Sequence, residues 1–266
     1  IVGQSGSAIT AVGDLVLGDN SMAGFVTDGN LAVGDFVVTL RDADAVQLGS
    51  LTTISGAGVL SSVNGLQLSG GERLTGGGRV IGPLSAAAGS TVAPGLATGI
   101  LRTDSVTFAS GSTFEANLNG SVAGTSYDQL AVTGTVDLGG TTLNATLSQA
   151  LSPTAELVVI DNDGSDPIIG TFAGLAEGGS VELNIFDGEA VTGTQRFVIS
   201  YARGTGNDVT LRPAASISGR VFNDVNFDGI DNDGINGVSV STVRLIAQDG
   251  ATVVRTSATA ADGSYT

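Results

Sequence analysis

The sequence has no cysteine, histidine, tryptophan or lysine, and each of its 10 basic side chains is an arginine. Without Cys there is no disulfide frame, thiol nucleophile or thiolate metal site. Without His there is no imidazole base, no Ser-His-Asp triad and no His-bound zinc. Without Lys there is no Schiff base and no P-loop lysine. Three Tyr and nine Phe leave few platforms on which bases or sugars could stack. The 26 acids against 10 arginines give a net charge of −16. That balance disfavours nucleic acid and anionic membrane as partners. No apolar run approaches the roughly 18 residues of a membrane span.

What the chain does have is glycine, 41 residues of it, and a hydrophobic content of 41%. The apolar residues are mostly Val, Leu, Ile and Ala, enough for a packed core and unlike a disordered composition. They fall into short runs closed by Gly, Asn and Asp, which is the signature of strands and turns. Examples are Leu15-Val16-Leu17, Leu31-Ala32-Val33, Ala45-Val46-Gln47-Leu48, Leu66-Gln67-Leu68 and Arg79-Val80-Ile81. The unit apolar-x-apolar-Gly recurs near positions 15, 31, 46, 66 and 79, at intervals of 13 to 20 residues. No apolar period of 3.6 residues reaches helix length. The predicted fold is all-β: a parallel β-solenoid over 1–100, each rung stacked on the last.

Strands lengthen over 101–212, as in 113–118, 141–147 and 196–201, and the aromatic residues gather there. This region continues the solenoid on wider rungs or closes it with a β-rich cap. Pro213-Ala214-Ala215 reads as a linker, after which strands are expected at 216–222, 238–240, 244–246 and 252–255. The last residues, Gly263 to Thr266, read as an unfinished strand, so the sequence is expected to be a piece of a longer protein.

Two ordered sets of motifs carry resemblances. Over 1–212 they are Gly89-Ser90-Thr91-Val92-Ala93-Pro94-Gly95, Gly111-Ser112-Thr113-Phe114, Tyr127-Asp128-Gln129-Leu130, Asp161-Asn162-Asp163-Gly164, Gly170-Thr171-Phe172-Ala173-Gly174-Leu175 and Gly206-Asn207-Asp208-Val209. In this order they resemble the autotransporter-associated β-strand-repeat proteins. That resemblance implies a right-handed β-helical stalk of a large secreted or surface protein of bacteria. Over 216–266, Ile217-Ser218-Gly219-Arg220-Val221-Phe222, the acidic loop after it and Ala261-Asp262-Gly263-Ser264-Tyr265 resemble the B-type domain of serine-aspartate-repeat adhesins, within the collagen-adhesin B-type group. This resemblance implies a small prealbumin-like β-sandwich, here cut short, acting as a stiff calcium-bound spacer. The Lys–Asn isopeptide bond frequent in that group is excluded within this chain, because it has no Lys.

The acidic loop is the leading candidate site. Asp224, Asn226 and Asp228 stand at positions 1, 3 and 5, Gly229 at 6, Ile230 at 7 and Asn232 at 9, which is the spacing of a calcium loop. Ca²⁺ takes six to eight oxygens, alternate residues of a tight turn supply them, and Gly permits the bend. Four Asp within ten residues, with no Arg among them, repel one another unless a cation is present. The loop departs from the pattern at position 12, where Ile235 replaces the bidentate Glu, and at Ala260, where an acid is expected; Asp262 is retained. Asp231 or Asp233 is left to supply the missing oxygens, and the site is expected to be weak.

Two further acidic turns read as plain Asx or glycine turns: Asp161-Asn162-Asp163-Gly164-Ser165-Asp166, too short for a full loop, and Gly204-Thr205-Gly206-Asn207-Asp208, a single copy of a glycine-aspartate pattern. For enzymatic chemistry, the closest grouping of Arg with acids along the sequence is Arg41-Asp42-Ala43-Asp44, which a turn explains. The functional expectation is a non-enzymatic extracellular stalk or adhesin segment at the bacterial surface. It would associate with other surface proteins, with itself, or with extracellular matrix or polysaccharide, without inserting into a membrane. A self-assembling filament or sheath subunit is the alternative, and a β-helical polysaccharide lyase or hydrolase the more remote one.

Overall fold

A computed structural model describes residues 8–266 except 20, 22, 23, 25, 28, 216, 235 and 236. Every described element is a β-strand. The chain divides into two compact units, Ile1–Ala214 and Ala215–Thr266.

The first unit is a β-solenoid with three faces. Strands Asn30–Gly34, Leu51–Ile54, Arg73–Gly76, Thr91–Pro94 and Thr113–Asn117 stack on the first face. Val37–Arg41, Val59–Ser61, Arg79–Ile81, Ile100–Thr103 and Gln129–Val132 stack on the second. Val46–Gln47, Leu66–Leu68, Leu84–Ala86, Val106–Phe108 and Val136–Asp137 stack on the third. The chain visits the faces in that order five times, giving five complete turns. Ala8–Thr10 and Leu15–Gly18 begin the stack, and Thr142–Thr146 and Leu157–Asn162 extend it. All pairs between successive turns are parallel.

Turns that begin at 30, 51, 73, 91, 113 and 142 differ by 21, 22, 18, 22 and 29 residues. The spatial repeat holds nonetheless, because the corners absorb the variation. Strand registers line up apolar side chains through the interior. On the third face Val46, Leu66, Leu84, Val106 and Val136 are successive partners, and all are buried. Leu68, Ala86 and Phe108 form a parallel line beside them. Glycine is required where a corner presses on the turn below. Gly76 holds φ +127°, and a Cβ there would lie 1.8 Å from the carbonyl oxygen of Ile54. Gly82 holds φ +105°, and its Cβ would meet the Ser62 carbonyl at 1.9 Å.

The 29-residue turn carries an excursion held by Asp128, which is buried. Asp128 Oδ1 accepts the main-chain N–H of Gly99 at 2.8 Å. Its Oδ2 accepts the Asn117 main-chain N–H at 2.8 Å and the Asn117 side-chain amide at 3.1 Å. Burial outweighs these three donors and pushes the carboxyl up to about 6, with the Glu115 carboxylate adding to the rise.

Residues 101–212 do both things the sequence left open. Parallel turns continue to Asn162, and the sheet then changes direction. Asp208–Pro213 pairs antiparallel with Leu157–Asn162, followed outward by Ala190–Arg203 and Ser180–Asp187. Here Phe108, Phe114, Phe172 and Tyr201 form a run of ring contacts with centroids 5.9 to 6.3 Å apart. The Tyr201 hydroxyl donates to Leu175 O at 2.7 Å and accepts the Phe172 N–H at 3.0 Å.

The second unit holds two antiparallel pairs, Gly219–Arg220 with Ser264–Tyr265 and Thr242–Ile246 with Val253–Ala258. The expected strand from 216 shrinks to Gly219–Arg220, Ser216 lying outside the described residues. The expected strand at 238–240 is instead a turn: Val240 holds φ +60°, and Thr259 Oγ1 donates to the Val238 carbonyl at 2.6 Å. Among the described residues of this unit no apolar side chain is fully buried.

Two outcomes follow. Leu84→Ala, in the middle of an inward line, loses about 2–5 kcal/mol in chemical denaturation, while Val63→Ala at an exposed corner stays within about 0.5 kcal/mol of wild type. The folded value of Asp128 lies above its ordinary 3.8, so the stability it confers is full below 3.8 and lost as pH rises through about 6. The stability of wild type relative to Asp128→Asn therefore increases as pH falls from about 7 to about 5. A difference that stays constant over this interval contradicts the assignment.

Candidate functional site

The acidic loop connects Gly219–Arg220 to Thr242–Ile246. Asp224 braces its first half: Oδ2 accepts the Gly229 N–H at 2.8 Å and Oδ1 the Asp228 N–H at 3.2 Å. Asp228 sits at the centre. Its Oδ1 accepts the Ile230 N–H at 2.8 Å, and its Oδ2 accepts the side-chain amides of Asn232 at 2.9 Å and Asn226 at 3.0 Å. The Asn232 bond, then the Ile230 N–H, hold this carboxyl below the ordinary range. Asp233 Oδ2 accepts the Val225 N–H at 2.7 Å. Gly229 and Gly234 take positive φ, and so does Phe227, at +62°. A bulky residue there costs roughly 1–2 kcal/mol, and the Phe227 ring is exposed.

The fold thus joins Asp224, Asn226, Asp228, Asn232 and Asp233 in one network. Ile230 belongs to it through its N–H, while its carbonyl oxygen accepts the Asn232 N–H at 3.0 Å. Ile235 lies outside the described residues. The donor set suits a hard cation in kind, being carboxylate and amide oxygen only. In position it is spread along the loop backbone, and among the described residues no three acids gather tightly enough to hold a metal ion.

Sequence reasoning missed one participant. Arg220, on the strand before the loop, forms an ion pair with Asp231, and its Nε donates to the Asp262 carbonyl at 2.7 Å. The repulsion expected among four Asp without a cation is therefore relieved in part from outside the loop, and Asp231 is already engaged. A pattern confined to the loop could not reveal this, because the partner lies 11 residues away.

The solenoid brings together a second group that the sequence separates. Arg79, Arg102, Ala131 and Asp161 are register partners across the second face. With Asp163 they line an open cleft of about 210 Å³. Arg41-Asp42-Ala43-Asp44 is a grouping along the sequence; this second one is made by stacking across the turns. Arg79 lies 3.7 Å from Asp104, and Arg102 forms no ion pair among the described residues. Two guanidinium groups on neighbouring strands, about 4.8 Å apart at their backbones, suit a carboxylate or sulfate group. Burial, with Asp208 and Asp163 nearby, raises the pKa of Asp161.

Arg220→Gln removes a half-exposed ion pair and a charged hydrogen bond. The expected loss is about 1 kcal/mol in the melting of the second unit, with the ion-pair share fading in about 1 M salt. A melting curve unchanged at low salt contradicts this role.

No helix among the described residues is long and apolar enough to cross a membrane. No family model, curated protein or solved structure matches the chain.

Proposed function

We propose that the chain is a non-enzymatic structural segment of a bacterial surface protein. In this reading the solenoid is an extracellular stalk and the second unit is a sandwich-type spacer steadied by calcium. The observation that carries the reading is the stack itself: five turns whose side chains pack along a continuous interior line, which makes a stiff body from small residues. An antiparallel strand occupies the edge of the last parallel turn on the second face. This favours a stalk over a self-assembling filament, which needs that edge free. The resemblance to autotransporter-associated repeats and to serine-aspartate-repeat adhesins supports the same place at the cell surface.

In the second unit, Asp224, Asp228 and the Asn226 and Asn232 amide oxygens would hold the calcium, with Asp233 moving in from its bond to Val225. Among its described residues no apolar side chain is fully buried, which favours dependence on such a staple. In calorimetry the chain takes up Ca²⁺ weakly and saturably, and the transition of the second unit moves up in temperature because the ion binds only the folded loop. Asp224→Asn with Asp228→Asn abolishes the shift. Unchanged melting of the second unit with and without chelator overturns the calcium spacer and leaves the stalk.

One observation favours a second reading. The Arg79–Arg102 cleft on the outer sheet face has the charge to take an acidic polysaccharide, either as an adhesin's ligand or as a substrate. Incubation with acidic polysaccharides separates the two. Retention on the polymer that Arg102→Gln weakens, with no new chain ends, supports adhesion; accumulation of new reducing or unsaturated ends overturns the non-enzymatic assignment.

A further inference from the structure

Two turns that read separately as ordinary loops meet in space. One is Asp161 to Asp166, at the end of strand Leu157–Asn162; the other is Gly204 to Asp208, between strands Ala190–Arg203 and Asp208–Pro213. They meet because Leu157–Asn162 is the strand where the parallel stack hands over to antiparallel pairing, with Ile160 opposite Val209.

Their side chains interlock. Asp208 Oδ1 accepts the Asn162 N–H at 2.9 Å, and Asp208 Oδ2 accepts the Thr205 N–H at 2.7 Å. The Asn207 amide donates to the carbonyl oxygens of Asp166 at 3.0 Å and Asp163 at 3.2 Å. The Asn162 amide donates to the Asp166 carbonyl at 2.8 Å. Asn162 and Asp208 are 0% and 2% exposed, and Asn207 4%.

After these bonds, two acceptors remain. Asn162 Oδ1 and Asp166 Oδ2 are shielded from solvent and receive no hydrogen bond. An unsatisfied buried acceptor costs about 1–3 kcal/mol, so a pair at one corner needs an explanation. The surroundings are rich in negative charge: Asp161 and Asp163 flank Asn162, and Asp208 is bonded to its N–H. Arg79 and Arg102 line a cleft with Asp161 and Asp163, and Arg203 is the register partner of Asp208; among the described residues none of the three forms an ion pair with these acids.

We infer that this corner binds a hard cation of the calcium class, held by Asn162 Oδ1 and Asp166 Oδ2. The Asp163 carbonyl, which accepts the Asn207 amide, has a lone pair left to complete the shell, whereas the Asp166 carbonyl already accepts two amides. An all-oxygen set with one carboxylate and neutral partners selects Ca²⁺ over softer metals and gives the low affinity of extracellular sites. The ion pins the handover from parallel to antiparallel strands, so it stabilises the first unit. This site is separate from the loop at 224–233 and does not rest on the stalk reading. The competing occupant is a buried water donating to the same two oxygens.

The test uses the whole chain carrying Asp224→Asn and Asp228→Asn, which silences the other loop. CaCl₂ is titrated by calorimetry, and thermal melting is followed with and without EGTA. The expected result is one saturable binding event below about 10 mM and a higher melting temperature for the first unit with Ca²⁺. Adding Asp166→Asn weakens binding at least about tenfold, a loss of about 1.4 kcal/mol. Asp187→Asn, an exposed acid of the hairpin turn, leaves it unchanged. No saturable heat and no chelator effect on the first unit overturns the inference in favour of water. Binding that Asp166→Asn leaves intact overturns the assigned residues.

Discussion

The structure depends on register between parallel strands. Each turn of the solenoid repeats only if a side chain lands over its counterpart in the turn below. The third face shows this most plainly, where Val46, Leu66, Leu84, Val106 and Val136 are successive partners. A shift of one residue would turn that whole line outward. The corners therefore carry the burden of length variation, and that is where glycine with positive φ, Asp128 and the longer loops are found. Small aliphatic residues fill the narrow interior, which is why a chain so poor in aromatics still has a continuous core.

Much of the fold was legible in the sequence for the same reason. Apolar-x-apolar-Gly units declare short strands and tight corners, and most of the second- and third-face strands of the early turns were visible that way. Others were hidden. Thr91–Pro94 ends in a proline, which argues against a strand when read locally, yet Pro94 stays in register with Gly76. Ser180–Asp187 alternates polar and apolar residues between Gly179 and Gly188, a strand pattern that is hidden because most of its apolar residues stand singly among polar ones, without an apolar run. The turn at Val240 defies β propensity, since Thr259 bonds to the Val238 carbonyl from 21 residues away.

The candidate sites divide along the same line. The loop at 224–233 is local, so its spacing could be read directly, and its six named residues do come together, Ile230 through its main-chain N–H. What could not be read is who else touches them: Arg220 on Asp231, or the Ile230 carbonyl already bonded to Asn232. The Arg79–Arg102–Asp161 line and the meeting of the 161–166 and 204–208 turns are products of stacking. Their members lie 23 to 82 and about 40 residues apart, and no motif spans such distances. In a solenoid, surface chemistry is written across the turns, not along the chain.

Hydrogen exchange resolved by segment tests the central claim most directly. Main-chain N–H groups in strands between 30 and 137 are paired to turns on both sides and back onto buried ladders. They should exchange only with the slowest, global opening of the first unit. Strands of the second unit, with no fully buried apolar side chain, should exchange faster. Strong and uniform protection through the five turns, dropping after residue 214, is the predicted result. Rapid exchange within the third-face strands, or protection in 215–266 equal to that of the solenoid, would contradict an account in which registered stacking holds the molecule together.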